Sequence, residues 1–338
     1  MRLLTVSTVS YLYQVSVLFS SARHVHPEFK LTVLVSDCTP EAIDPIKISL
    51  GSDVEVLCTS DLAPYFDFVE DMRSYYSTLE FCSALKVLGS AYILKKEQSC
   101  LFLDPDMIIL DNLNEAIFSL PGDLVVSCHT FSPYPIDGES PEDIELCYSG
   151  HINGGLLYSR RGLNNNLALD WLVEKTKNQW FLAPELGMYA DQQWLTALPY
   201  FFRDNTSIVS DRGVNVAYWN LHERQLTRNK DTSKVNLVSG ESLRLMHFSG
   251  FMIPSNGKIS KHTHRKYKPE TEKIILDMVS DYEGLLMTAI TSLEHLSADL
   301  VFSNKPLIQR MKIAANLWNE PQPLLPSARF LSRLRNFF

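Results

Sequence analysis

The sequence contains no uninterrupted apolar run that approaches the roughly 20 residues needed for a membrane-spanning helix. A secretory signal is also not expected, since Arg2 is the single basic residue before the first apolar stretch and the following apolar residues alternate with Ser, Thr, Tyr and Gln. We therefore expect a cytoplasmic protein. Its 338 residues, 45% hydrophobic and 21% charged, are enough for a sizeable globular core.

Cysteine is confined to the first half of the chain, with no C-x-x-C pair and no histidines at zinc-finger spacing. The six cysteines are therefore predicted to be free thiols in a reducing compartment. The sequence also lacks an excess of basic residues, and its net charge is −8. Because a nucleic-acid binder needs clustered Lys and Arg to neutralise phosphates, we expect no nucleic-acid partner.

Charge is unevenly distributed along the chain. Residues 101–150 hold ten acidic residues and no Lys or Arg, a composition that favours a bound cation. Residues 300–338 hold six basic residues and a single acid, Glu320. This segment either contacts an anionic membrane surface on its cytoplasmic side or packs as a terminal helix with a solvated basic face. Its apolar residues include Leu324, Leu325, Phe330, Leu331, Leu334, Phe337 and Phe338.

Strand-like and helix-like patterns alternate and predict an α/β fold with a largely parallel central sheet flanked by helices. Strands are expected at 2–8, 31–36, 54–58, 100–103, 124–127 and 152–158, and near 214–219 and 243–248. Helices are expected from residue 9 to about 26, and at 77–94, 163–177, 191–198 and 274–293. No linker-like stretch divides the chain, so we expect one catalytic domain over 1–265 and a helical C-terminal extension over 266–338.

Two carboxylates, Asp104 and Asp106, directly follow a short apolar strand. In a parallel sheet, ligands bind outside the carboxyl ends of the strands. Carboxylates this close repel each other unless a cation or proton joins them, and hard oxygen ligands suit Mg²⁺ or Mn²⁺. The other interpretation is a simple turn. A haloacid-dehalogenase-type phosphatase is disfavoured for two reasons. Its motif continues to a Thr at the position that Ile108 occupies here, and it needs a carboxylate after the first strand, where this chain has Ser7, Thr8 and Val9.

Three further polar motifs follow along the chain. Asn153 and Gly154 open a strand, where they make either a turn or a close approach to a ligand. Asp191 opens a helix and is either its N-cap or a site residue. His247 ends a strand, followed three residues later by Gly250, and would complete a metal site that has only two carboxylates.

Taken in order, Asp-x-Asp, Asn-x-Gly, Asp-Gln and His-x-x-Gly resemble the retaining glycosyltransferases of the glycogenin and lipopolysaccharide galactosyltransferase type, which have the GT-A fold. The segments 80–86, 218–224 and 247–251 are similar to bacterial cell-envelope glycosyltransferases. The resemblance covers about residues 1–265. It implies Mn²⁺ or Mg²⁺ bound by Asp104, Asp106 and His247, with the ion bridging the two phosphates of a nucleotide-sugar donor.

The resemblance also implies roles for donor-site residues. Ser7, Thr8 and Tyr11 match nucleoside-binding positions, and Lys86 matches a basic residue near the nucleotide, although a surface lysine is the alternative. Further residues expected at the donor are Asn153, Gly154, Asp191, Gln192, Gly250 and Lys261, with Asn153 and Asp191 at the sugar hydroxyls and Gln192 near the anomeric carbon. The relatives' Lys-Pro-Trp is missing after Gly250, so either Lys258 or Lys261 is expected at the diphosphate.

The expected function is metal-dependent transfer of a hexose from a UDP-sugar, with retention, to a glycan, a lipid-linked glycan or a protein acceptor in cell-envelope polysaccharide biosynthesis. Loops 133–149 and 180–190 are candidate acceptor loops by elimination. The alternatives are a nucleotidyltransferase, a metal-dependent phosphatase and a non-catalytic carbohydrate-binding protein. A nucleotidyltransferase would carry a Gly-rich basic loop after the first strand, and residues 7–14 contain neither Gly nor Lys.

Overall fold

A computed structural model of the chain describes residues 1–162, 166–229, 232, 234–298 and 300–318. Its strands are β1 (Arg2–Ser7), β2 (Lys30–Val35), β3 (Val54–Leu57), β4 (Ser99–Leu103), β5 (Met107–Ile109), β6 (Leu124–Cys128), β7 (Ile152–Arg160), β8 (Leu182–Ala183), β9 (Met188–Tyr189), β10 (Thr206–Ile208), β11 (Leu226–Arg228), β12 (Val235–Leu237) and β13 (Leu245–His247). Its helices are α1 (Leu12–Val25), α2 (Ile43–Leu50), α3 (Thr59–Leu62), α4 (Thr78–Leu94), α5 (Asp143–Ser149), α6 (Leu167–Thr176), α7 (Asp191–Phe201), α8 (Pro269–Leu293) and α9 (Leu307–Leu317).

The central sheet has seven strands in the order β10-β6-β7-β4-β1-β2-β3. Strand β1 pairs in parallel with β2 and β4, β2 with β3, and β10 with β6. Only β7 runs antiparallel to its neighbours β4 and β6 within this sheet. The predicted α/β fold with a largely parallel sheet is confirmed.

Both faces of the sheet are buried, as its apolar strands require. On one face Leu4 and Leu34 pack with α4, α6 and α7, and on the other Leu3 and Val33 pack with α1 and α2. Ser77 and Glu80 form a capping box that begins α4, and the apolar residues of α4 pack on the first of these two faces. This three-layer arrangement leaves the carboxyl ends of β1 and β4 open at one edge.

A two-stranded sheet lies beside that edge and brings distant residues together. Strand β13 pairs antiparallel with β5, with His247 opposite Met107, and Phe248 N donates to Asp106 O at 2.9 Å. The backbone pairing therefore sets the histidine next to the Asp-x-Asp turn.

The prediction of a strand near residues 214–219 is wrong. Asn215 has a left-handed φ of 58°, which turns the chain out of the extended conformation, and Val216 forms only an isolated bridge with Met246. The helix predicted at 163–177 is described from Leu167, with Asn166 as its N-cap, while 163–165 lie outside the described residues.

The C-terminal helices pack against the body of the protein. Helix α8 begins at Pro269, earlier than the predicted 274, and its residues share a core cluster with Met246 and Phe248. Helix α9 buries Met311 and Ala314 in the cluster beside α4. The rest of the basic tail, residues 319–338 with Leu324 and Phe338, lies outside the described residues.

All six cysteines are free, as predicted. Among helices in the described part of the chain, none is both long enough and apolar enough to cross a membrane.

Candidate functional site

A cavity of about 490 Å³ opens at the carboxyl ends of β1 and β4, where an open α/β sheet binds ligands. We call it the first cavity. Its lining includes Ser7, Thr8, Tyr11, Cys82, Lys86, Asp104, Tyr189, Asp191 and Gln192. Seven of the sixteen lining residues were predicted from the sequence as site residues, and these seven come from four separate stretches of the chain.

Asp104, Asp106 and His247 form a candidate metal centre at the edge of this cavity. One ligand atom from each residue lies within 4.8 Å of the others, and His247 Nε2 lies 3.1 Å from Asp106 Oδ1. Two carboxylate oxygens and one imidazole nitrogen suit Mn²⁺ or Mg²⁺. The structure thus brings together the three residues predicted as ligands.

Lys86 lies between two carboxylates. Its Nζ atom is 3.0 Å from Asp104 Oδ1 and 3.1 Å from Asp191 Oδ2, and it also donates to Gly154 O at 3.1 Å. Burial lowers the pKa of this ammonium, but the two carboxylates outweigh burial and raise it overall. The surface-lysine interpretation is therefore wrong, because only 15% of the Lys86 side chain is exposed and its ammonium lies between two site carboxylates in the lining of the first cavity.

Asp191 is not the N-cap of α7. The cap position is Ala190, with a φ of 46° and no side-chain capping bond, and Asp191 is the first helical residue. Its carboxylate turns instead toward Lys86. A Cβ added to Gly154 would lie 2.1 Å from Asp191 Oδ2, so this glycine makes room for the carboxylate.

A chain of side-chain amides joins the metal centre to Gln192. Asn215 Oδ1 accepts from His247 Nδ1 at 3.0 Å, and its Nδ2 donates to Asn153 Oδ1 at 3.1 Å. Asn153 Nδ2 donates to Gln192 Oε1 at 3.3 Å and lies 3.2 Å from His129 Nε2. Gly155 N also donates to Asn153 Oδ1, so the Asn153 amide is fully hydrogen-bonded within the protein.

Sequence reasoning missed two residues that support the site. Asn215 was assigned to a strand, although a polar residue inside the apolar run Val214-Asn215-Val216 was the available signal. Asp37 follows β2 and accepts from Val9 N at 2.8 Å, which holds the turn carrying Thr8 and Tyr11. No sequence pattern singled out Asp37.

Ser7 and Thr8 are buried at the end of β1, whereas Tyr11 is 50% exposed and stacks on Tyr13 at 5.9 Å between ring centroids. The aromatic ring thus presents a face at the rim of the first cavity. This is where the sequence predicted a residue able to stack on a base.

Gly250 has a φ of 70°, and a Cβ there would meet His262 Cδ2 at 2.4 Å. Its carbonyl accepts from Lys261 N at 3.0 Å. The glycine is therefore required by a left-handed turn packed against the next loop. Lys258 and Lys261 are exposed, and neither is among the residues lining the first cavity.

A second cavity, of about 480 Å³, lies on the other side of Gln192. Tyr189 and Gln192 line both cavities. Both loops predicted as acceptor loops contribute to the second cavity, 133–149 through Tyr134 and Glu145 and 180–190 through Tyr189. The remaining lining residues are His129, Ser140, Pro141, Leu146, Tyr148, Ser149, Asn153, Tyr218, Trp219, Ser249 and His262.

Among solved structures, the chain is similar to the galactosyltransferase LgtC in complex with donor and acceptor sugar analogs, with a TM-score of 0.52 and 15% identity over 92% of this chain and 100% of that chain. Mouse xyloside xylosyltransferase 1 gives a TM-score of 0.39 at 17% identity over 64% of this chain and 88% of that one. GlyE of Streptococcus pneumoniae TIGR4 gives 0.43 at 13% identity over 90% and 65%. No family model and no curated protein sequence matches the chain.

The similarity to LgtC covers 92% of this chain, which itself has a mostly parallel seven-stranded sheet flanked by helices. The chain therefore has the GT-A fold predicted from its motifs.

Proposed function

We propose that the protein is a metal-dependent glycosyltransferase that moves a hexosyl group from a nucleotide-diphosphate sugar, a UDP-sugar by resemblance, to a glycan or lipid-linked acceptor. The observation that carries the proposal is the meeting of Asp104, Asp106 and His247 at the edge of a cavity that also contains Lys86 and Asp191. Structures with this fold include a galactosyltransferase that binds donor and acceptor sugar analogs.

Asp104, Asp106 and His247 would hold Mn²⁺ or Mg²⁺, since their donor atoms fit either ion. When bound, the ion supplies Lewis-acid stabilisation of the diphosphate leaving group. Lys86 adds a fixed positive charge next to Asp104. Because both the ammonium and the carboxylates are held in place before the donor binds, little reorganisation is needed during the reaction.

The nucleoside would bind at the β1 end of the first cavity, with its base on the exposed face of Tyr11 and its ribose near Ser7 and Thr8. Asp191, fixed by Lys86, would accept from hydroxyls of the transferred sugar. Gln192 lies where the two cavities meet and would face the anomeric carbon. Asn153 would then orient Gln192 through its amide.

We propose transfer with retention of configuration. The acceptor oxygen would bond to the anomeric carbon as the bond from that carbon to the diphosphate oxygen breaks, and the departing phosphate would take the hydroxyl proton. This route needs no separate carboxylate base, which agrees with the pairing of Asp191 to Lys86. Proton NMR of the first-formed product distinguishes the two anomers.

Three further parts of the proposal rest on the sequence alone. These are a cytoplasmic location in cell-envelope polysaccharide synthesis, a catalytic unit over 1–265 and membrane contact through the tail beyond residue 318. A protein acceptor and a diphosphate contact from Lys261 or Lys258 also stay predictions.

The test is thermal unfolding of the purified protein with a panel of nucleotides and nucleotide sugars, each with and without Mn²⁺. A ligand at about 100 times its Kd stabilises the folded state by about 2.7 kcal/mol. We expect stabilisation confined to one nucleoside diphosphate class and dependent on Mn²⁺. Equal or absent shifts across the panel would reject the donor site.

A further inference from the structure

The second cavity has a composition that differs sharply from that of the first. Five tyrosine and tryptophan side chains line it: Tyr134, Tyr148, Tyr189, Tyr218 and Trp219. Flat apolar faces edged by hydroxyl and indole donors suit a sugar ring, which presents C–H groups on its faces and hydroxyls at its rim. The volume of about 480 Å³ is ample for a terminal sugar residue.

Among the residues that the structure describes, the lining contains no Lys or Arg, and Glu145 is its single carboxylate. Ser140 Oγ donates to Glu145 Oε1 at 2.8 Å, which holds the half-buried carboxylate in place on α5. Burial lowers the pKa of His129 to about 4, and burial followed by the charge of Lys261 lowers that of His262. Both imidazoles are therefore neutral at pH 7, and Glu145 supplies the only full charge of the lining.

The charge of Glu145 also affects the pKa values of two tyrosines in the lining. Burial, and after it the negative charge of Glu145, raise the pKa of Tyr148 and of Tyr218. Both side chains therefore stay protonated and can donate to sugar hydroxyls. A carboxylate or phosphate placed among them would face Glu145 with no cation in the lining to offset it.

Resting on the proposed function, we propose that the second cavity binds the acceptor and selects one whose terminal residue is an uncharged sugar, with Glu145 disfavouring uronic acids and phosphorylated sugars. The acceptor hydroxyl would approach the anomeric carbon past Gln192, which lines both cavities. There the new bond from oxygen to carbon would form as the bond from carbon to diphosphate breaks, with the hydroxyl proton passing to the phosphate.

The experiment compares matched acceptors, alkyl glucosides and galactosides against the corresponding glucuronides and galacturonides, which differ only at C6. Transfer is measured with the donor identified by thermal shift, and binding is measured separately by saturation-transfer NMR in the presence of nucleoside diphosphate and Mn²⁺. We expect kcat/KM for neutral glycosides to exceed that for acidic ones by about tenfold or more. Binding should follow the same order.

Glu145→Gln keeps an acceptor for Ser140 but removes the charge, so it should reduce this preference by most of its value. The matched control is Glu185→Gln, an exposed carboxylate outside the lining of both cavities, which should keep the preference. Tyr148→Ala should weaken neutral-glycoside binding, whereas Tyr200→Ala, 80% exposed and outside both cavities, should not.

Equal use of acidic and neutral glycosides by the wild type would overturn the charge selection. Donor hydrolysis without binding of any glycoside would overturn the sugar site while leaving the proposed function intact. Failure of both Mn²⁺-dependent nucleotide binding and donor hydrolysis would instead reject the proposed function, and the NMR binding order would still test the cavity.

Discussion

Asn215 Oδ1 accepts a hydrogen bond from His247 Nδ1 at 3.0 Å, while the Nδ2 of the same amide donates to Asn153 Oδ1 at 3.1 Å. Since an amide oxygen can only accept, His247 carries a proton on Nδ1, and Nε2 is the atom turned toward Asp106. A buried outer partner of this kind orients a metal-binding imidazole. Asn215 is thus a positioning residue shared by the metal centre and the Gln192 side of the site.

We expect Asn215→Ala to weaken Mn²⁺ binding by about 10- to 100-fold, measured by electron paramagnetic resonance titration. Asn215→Asp keeps an acceptor for His247 but loses the donor to Asn153, so Mn²⁺ affinity should recover while kcat stays low. The control is Asn256→Ala, since Asn256 also has a left-handed φ, 50°, but is exposed on another loop. Unchanged Mn²⁺ affinity in Asn215→Ala would contradict this role.

Asp106→Asn should abolish transfer and remove the Mn²⁺ dependence of nucleotide binding, because it takes one carboxylate from the cluster of three ligands. Asp106 lies at the rim, with 20% of its side chain exposed, so we expect little change in melting temperature without metal. The exposed Asp44→Asn serves as control. Wild-type turnover in Asp106→Asn would reject the metal assignment.

The ligand residues and Asn215 differ in how well the sequence predicts them. Asp104 and Asp106 could be predicted because they directly follow an apolar strand, and such strand ends meet at one edge of a parallel sheet. His247 could be placed only through the order of the motifs, since it lies 140 positions after Met107, the residue it pairs with between β13 and β5. Asn215 was not predicted as a site residue because the apolar residues on either side of it are typical of a strand. Its left-handed backbone conformation cannot be recognised from a single sequence.

Gly154→Ala should reduce activity by about 100-fold, because a displacement of about 1 Å in a site residue has an effect of that size. The added Cβ would lie 2.1 Å from Asp191 Oδ2 and push the carboxylate away from Lys86. Gly284→Ala is the contrasting control, since that position in α8 has no atom within 4 Å and should gain about 0.5–1 kcal/mol in stability. Full activity in Gly154→Ala would mean that the position of Asp191 does not matter.

His129 should make the protein less stable in acid. Burial lowers its pKa to about 4, below its ordinary value of 6.5, so between these values the unfolded chain binds a proton that the folded one does not. Stability is therefore complete above pH 6.5 and falls as the pH drops toward 4, by about 2 kcal/mol between pH 7.5 and pH 5. Urea unfolding of His129→Gln should show a smaller loss over this interval. An identical loss in the two proteins would assign the acid sensitivity to other groups.

The C-terminal helix α9 is anchored by an ion pair between Arg310 and Glu80, and both side chains are buried. Arg310 Nη1 donates to Glu80 Oε2 and, at 3.0 Å, to Tyr75 O, while Glu80 Oε1 accepts from Leu182 N at 2.7 Å. Leu182 lines the first cavity, so Glu80 connects the C-terminal helix to the loop that carries Tyr189. Loss of the arginine would leave a buried carboxylate without its partner.

Arg310→Met should lower the free energy of unfolding by about 3–5 kcal/mol, as expected when one member of a buried pair is removed. The double variant Arg310→Met/Glu80→Gln should recover part of that loss, because the amide still accepts from Leu182 N and carries no charge. Lys312→Met, exposed on the same helix, should change stability by less than about 0.5 kcal/mol. If Arg310→Met behaved like Lys312→Met, α9 would not be anchored through Glu80.

The Arg310–Glu80 pair also determines where the C-terminal tail can be deleted without destabilising the fold. Deletion from residue 319 keeps α9 and tests vesicle binding alone. Deletion from residue 301 would also remove Arg310, so a loss of vesicle binding could not be distinguished from unfolding.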